Sequence, residues 1–170
     1  VETASTAAPR STGGITLKSP QELELMRRAG AIVGHVLRTL AEAVRPGMRT
    51  KDLDAIASRE IRRLGGKPTF KGYRGFPATI CTSLNEEIVH GIPGDRVVRE
   101  GDLLKVDVGA TYQGYIADAA ITIPVGTVSP QARELVEATR QALEEGIKAA
   151  REGGHVGDIG EAIERFAEAR

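Results

Sequence analysis

Between Leu25 and Leu40 the apolar residues fall at Leu25, Ala29, Ile32, Val33, Val36, Leu37 and Leu40, one stripe at helical spacing with charged positions in between. A helix is predicted from Ser19: that serine suits the cap, Pro20 the first helical position, and Glu22, three residues on, completes a capping box. Arg45-Pro46-Gly47 ends it. A second helix opens at Thr50, carries Leu53, Ile56, Ala57, Ile61 and Leu64 on one face, and closes at Gly65-Gly66. From Phe70 to Val125 the pattern changes to short β-branched runs broken by Gly and Pro, the texture of strands and loops.

At Ser129 the helical period returns, and in similar words. Ser19-Pro20-Gln21 reappears as Ser129-Pro130-Gln131, Leu25 matches Leu135, Val33 matches Leu143, and Lys51-Asp52-Leu53 is echoed by Gly157-Asp158-Ile159. This reads as an internal duplication of period about 110 residues. The first copy runs helix, helix, strands; the second runs helix, helix. Two amphipathic helix pairs that share common caps are the competing account. Residues 1–14 are small, polar and aperiodic, and a disordered tail is expected there, ahead of a single folded region over 15–170.

The stretch LLKVDVGATYQGYIADAAIT, 103–122, predicts a hairpin with an acid in the middle of each strand. A turn centred between Tyr112 and Gln113 sets Asp107 opposite Asp118 on one face. Cβ atoms of such a pair lie about 4.5–5.5 Å apart, where like charges repel. The neighbours Val106, Val108, Ile116, Ala117 and Ala119 are apolar, so desolvation adds to the cost. A shared proton or a bound cation would offset it; a bulge that turns one acid to solvent would remove it. Upstream, His90 follows an apolar run and precedes a Pro-Gly turn, a place from which a loop presents imidazole to a substrate. By contrast His35 lies off the apolar face of the first helix and is expected to be solvated, and His155 sits in a Gly-rich connection.

Bulk composition narrows the function classes. At 41% hydrophobic and 27% charged residues the chain reads as an ordinary globular domain. Lys plus Arg balances Asp plus Glu at 23 each, so no global field favours nucleic acid or an anionic membrane. The single cysteine, Cys81, excludes an internal disulfide framework and suits a reducing compartment, and no apolar run reaches membrane-spanning length. A cytoplasmic protein is expected, with neither nucleic acid nor membrane as partner.

Three segments, GFPATICTSLNEEIVHGIPG, EGDLLKVDVGATYQGYIADAAIT and GDIGEAIERF, resemble the type I methionine aminopeptidases, and the likeness runs over residues 15–170. The resemblance implies the pita-bread fold, an α/β (α+β type) arrangement of two pseudo-symmetric halves around a dinuclear metal site. It implies removal of the initiator methionine from nascent polypeptides with two divalent ions, Mn, Fe, Co, Zn or Mg. Asp107 would bind the first ion and Asp118 bridge both; His90 would contact the substrate beside the scissile amide and assist catalysis. Tyr73, Phe76 and Cys81 fall where the family lines the methionine pocket, and carbonyls around Asn85 would hold a monovalent cation. The family's other His and Glu ligands belong to the second-half strands, and none of those motifs is present in the 170 residues. The expectation is therefore an N-terminal portion of a catalytic domain, truncated before those strands and little active by itself, with a second chain or the ribosome as further partners. A prolidase-like hydrolase and a non-catalytic binding module on the same scaffold are the alternative readings.

Overall fold

The computed structural model describes Ser11, Thr12 and residues 15–170. The tail expected over 1–14 lies outside the described residues except at Ser11–Thr12 (β1), whose backbone pairs antiparallel with Ile15–Thr16 (β2). Two compact units divide the chain, one reaching to Val125 and the other running from Gly126 to Arg170.

In the first unit, helix α1 (Pro20–Ala43) starts as its sequence predicts. The Ser19 hydroxyl accepts the Glu22 N–H at 3.2 Å, and the Glu22 carboxylate accepts the Ser19 N–H at 2.7 Å. Helix α2 (Thr50–Arg63) opens at Thr50 as expected, with Arg49 as its cap. Thr50 turns its buried hydroxyl to Gly94, accepting that residue's N–H at 2.9 Å and donating to its carbonyl at 3.1 Å. The Asp52 carboxylate covers the Arg49 N–H at 3.0 Å. His35 is not simply solvated: its Nε2 lies 3.3 Å from the Glu60 carboxylate, which also accepts from Arg63 Nε at 2.9 Å.

The sheet comprises β3 (Lys67–Pro68), β4 (Ile80–Leu84), β5 (Leu103–Tyr112) and β6 (Tyr115–Pro124). Strand β5 is central; β6 runs along one edge, and β4 and β3 share the other. Side chains alternate between faces. Leu104, Val106, Val108 and Ala110 of β5 join Val36 and Leu40 of α1 and Leu53 and Ile61 of α2 in one core. Each fully buried Val, Leu or Ile contributes about 1.5–3 kcal/mol, so this face fixes the sheet against the helices. Lys105, Asp107, Gly109 and Thr111 stand on the opposite face.

The hairpin register differs from the one expected. Gln113 and Gly114 make a two-residue turn with φ of 46° and 88°, the double left-handed geometry whose twist suits paired strands. Tyr112 therefore faces Tyr115, Asp118 faces Gly109, and Asp107 faces Ala120. A slip of two residues keeps every side chain on its face, so the two acids are diagonal neighbours on one surface. The apolar run before His90 is also not a strand. Strand β4 stops at Leu84, where the Glu87 carboxylate accepts the Leu84 N–H at 2.9 Å and pairs with Arg96, folding the chain back and leaving Ile88 and Val89 exposed.

In the second unit, α3 (Pro130–Ala149) is capped by Ser129, which accepts the Ala132 N–H at 3.1 Å. Helix α4 (Val156–Glu168) begins after His155, whose N–H donates to Asp158 at 2.8 Å. The two pack closely at Gly146, where a Cβ would lie 2.8 Å from the Ile163 Cδ1. The caps repeat those of the first unit in kind: Ser then Pro at α1 and α3, an Asp at the third helical position at α2 and α4. No helix among the described residues is long and apolar enough to cross a membrane.

Candidate active site

The polar face of β4, β5 and β6 forms the floor of a cleft of about 580 Å³, a size typical of small-ligand sites. Asp107, Asp118, His90, Tyr73, Phe76 and Cys81 all line it. Cys81 stands directly across the β4–β5 pair from Asp107. The two acids differ in environment: Asp107 is half-buried, whereas Asp118 is exposed, so the desolvation expected for both falls on Asp107. Burial first, then the Asp118 charge and a hydrogen bond with it, push Asp107 up to about 6, against an opposing influence of His90. One Asp107 oxygen, Oδ1, is buried with no hydrogen-bond partner among the described residues. Burial, then the charges of Asp107 and Asp118, raise the Cys81 thiol to about 11. It is neutral near pH 7, a wall rather than a nucleophile.

Aromatic rings form one side. Phe70 and Phe76 meet edge to face, centroids 6.5 Å apart at 87°. Phe70 lies so close over the strand that a Cβ on Gly109 would come within 2.5 Å of its Cε1, which is why the residue facing Asp118 has no side chain. The chain then closes a tight 3₁₀ turn at Tyr73–Gly75, held by Gly72 N–H to Phe76 O at 2.8 Å, Tyr73 N–H to Phe70 O at 2.9 Å and Phe76 N–H to Tyr73 O at 2.9 Å. Tyr73 projects from the rim, 63% exposed.

The other side is the loop bearing His90. His90 itself has φ of 63°, and the next residue docks on β4: Thr82 N–H donates to Gly91 O at 2.8 Å and Gly91 N–H to Ser83 Oγ at 3.0 Å. The approach is so close that a Cβ on Gly91 would lie 2.1 Å from the Thr82 carbonyl oxygen. Behind the floor, Asp54 of α2 accepts the Thr79 and Ile80 N–H groups at 2.7 and 3.0 Å and fixes the start of β4. Sequence reasoning missed Phe70, Arg74, Gly91, Gly109 and Asp54. For Gly109 a signal existed, since a glycine inside a strand pattern marks close backbone approach; Asp54 looked like any exposed helical acid.

The donors fit a divalent cation in part. Two diagonal carboxylates, one with an orphaned buried oxygen and an elevated pKa, are hard oxygen ligands whose repulsion a cation relieves. Among the described residues no group of three or more His, Cys, Asp and Glu is placed to hold a metal, so these two supply part of a ligand set. At Asn85, φ 53°, the side chain bridges Asp102 and the Leu103 N–H, each at 2.9 Å, while the Lys105 ammonium takes the main-chain carbonyl. A monovalent cation would compete with Lys105 for that oxygen.

Comparison with known proteins matches residues 24–170 to the model of Metallopeptidase family M24. Methionine aminopeptidase 1 of Bacillus subtilis is 45% identical over 154 residues, 91% of this chain and 62% of that protein. The chain thus spans about three-fifths of the length of that curated relative. The structure of methionine aminopeptidase from Thermotoga maritima superposes with a TM-score of 0.87 at 40% identity, over 89% of this chain and 61% of the other. A prolidase from Pyrococcus furiosus gives 0.80 at 23% identity, over 89% of this chain and 44% of the other, a likeness of the pita-bread fold alone.

Proposed function

The chain belongs to metallopeptidase family M24, and on that premise we propose that its cleft binds the first residue of a peptide beside a divalent metal centre and serves to remove N-terminal methionine. The observation that carries the reading is a juxtaposition: an orphaned carboxylate oxygen and a second acid line the same cleft as three aromatic rings and a thiol. Identity of 40–45% to methionine aminopeptidases supports that substrate over a prolidase-like one.

Asp107 and Asp118 are the residues that would hold the divalent metal, two ions in the reading proposed, with water and substrate as further ligands. Oxygen donors favour Mn, Fe or Mg, and a histidine ligand would admit Co or Zn. Metal held there polarises the scissile carbonyl and acidifies the attacking water. Phe76 and Tyr73 give the thioether of the substrate polarizable contacts, and Cys81, kept neutral, adds a further apolar wall without competing as a nucleophile. His90, held by the docked loop at the cleft edge, hydrogen-bonds the substrate at the amide being cleaved. A monovalent cation at Asn85 and a cytoplasmic location acting on nascent chains at the ribosome belong to the same reading.

The test is calorimetric titration of the chain with Mn near pH 7, alongside hydrolysis and binding of a Met-Gly peptide. Mn uptake that is lost in Asp107→Ala and Asp118→Ala, with Mn-dependent retention of the Met peptide over its Gly-Gly counterpart, supports the reading. Mn binding unchanged in both variants overturns it.

A further inference from the structure

Arg74 sits at the tip of the 3₁₀ turn, lines the cleft, and belongs to none of the roles assigned above. Its backbone is left-handed, φ 48° and ψ 32°, a conformation unfavourable for a residue that carries a side chain. That conformation is enforced by Gly72 and Gly75 on either side, with φ of 89° and 82°, and by the backbone hydrogen bonds that close the turn. The guanidinium is held in turn: its central carbon lies 5.5 Å from the centroid of the exposed Tyr73 ring. Stacking of this kind orients the planar fork while leaving its edge donors open.

Other arginines near the sheet and helices are engaged by acids, Arg63 by Glu60, Arg96 by Glu87 and Arg49 by Asp95. Among the described residues Arg74 makes no such ion pair, and its one specific contact is the tyrosine face. Asp107 and Asp118, the acids of the same cleft, are assigned to the metal in the reading above and form no ion pair with Arg74. An exposed guanidinium stacked on Tyr73 at the cleft, with no acid paired to it, is placed to meet a peptide that extends from the cleft past the turn.

We infer that Arg74 is a specificity-determining residue that favours peptides with an acidic side chain shortly after the first residue. The inference rests on the peptide-binding reading above. An exposed ion pair contributes modestly, so about a two- to five-fold preference for Asp or Glu over Lys is expected, and it should fade in strong salt.

The experiment measures binding of fluorescein-labelled Met-Gly-Asp-Gly, Met-Gly-Lys-Gly and Gly-Gly-Asp-Gly peptides to the chain in saturating Mn, at low and at 0.5 M salt. Arg74→Asn removes the charge yet tolerates left-handed backbone, and Arg74→Glu reverses the charge. The ratio of affinities for the Asp and Lys peptides should fall to about one in Arg74→Asn and drop below one in Arg74→Glu. An equal affinity for both peptides in the unmodified chain, or a ratio unchanged in Arg74→Asn, overturns the inference while leaving the methionine reading intact. Equal binding of the Met and Gly peptides, or none that depends on Mn, overturns the methionine reading and this inference with it.

Discussion

Gly91→Ala should separate His90 from the cleft without touching either carboxylate. The added Cβ would lie 2.1 Å from the Thr82 oxygen, 2.8 Å from the Thr82 carbonyl carbon and 3.0 Å from the Ser83 Cα, against 3.4 Å or more in ordinary contact. All three neighbours are main chain of β4, whose opposite edge is paired to β5, so the loop must withdraw by about 1 Å or more. Withdrawal breaks the Thr82–Gly91 and Gly91–Ser83 hydrogen bonds, each with a net contribution of about 0.5–1.5 kcal/mol. Loss of the two bonds sets the loss of stability at about 1–3 kcal/mol. A 1 Å displacement of a positioning group can lower turnover by about a hundredfold. Urea unfolding, Mn titration and Met-peptide binding or hydrolysis should be measured together. Mn affinity should persist while every His90-dependent step is lost. A Gly91→Ala protein with unchanged stability and an unchanged response to His90→Ala would refute the docking argument, and Ser83→Ala, which removes one bond and no space, should show a fraction of the effect.

Asp54→Ala leaves the buried Thr79 and Ile80 N–H groups without acceptors and should lower the free energy of unfolding by about 2–4 kcal/mol, read as a lower urea midpoint at unchanged slope, whereas Asp54→Asn, which retains a carbonyl oxygen there, should lose about 1 kcal/mol; equal losses would show that charge, not the acceptor, matters. Glu87 is held down to about 2 from 4.5, first by Arg96 and then by the Leu84 N–H. A depressed carboxylate stabilises the fold above its unfolded pKa and loses that contribution as pH falls, so stability should decline between about pH 4.5 and 2, and Glu87→Gln should flatten that part of the profile. A steeper decline in the variant would reverse the assignment.

Much of this fold was legible because its signals are local. The Ser19 box, the Ser129 cap and the apolar stripes of α1 and α2 depend on neighbours within four residues, and each appears as written in the sequence. The hairpin was half legible. Its turn residues and alternation fix which face each acid takes, but a pairing slip of two residues preserves alternation, and only the Gln113–Gly114 turn decides between the two registers. The Thr50 hydroxyl's partner, Gly94, was not foreseen because it lies far along the chain. His35 was misread for the same reason: helical spacing shows that it leaves the stripe, not that Glu60 of the next helix waits there. Asp54, Phe70 and Gly91 act through contacts of equally long range, for which a single sequence holds no periodic mark.

Strand β5 carries Asp107 on the cleft surface and four core residues on the other, within the same ten residues. Amide exchange at Asp107 should accordingly be gated by opening of the whole unit, while the turn around Arg74 and the loop around His90 exchange through local fraying. The floor of the cleft is thus anchored to the slowest-opening part of the molecule and its walls to faster ones. Lineages could then vary the walls under weak constraint, while a change on the floor would be tested at once by folding itself.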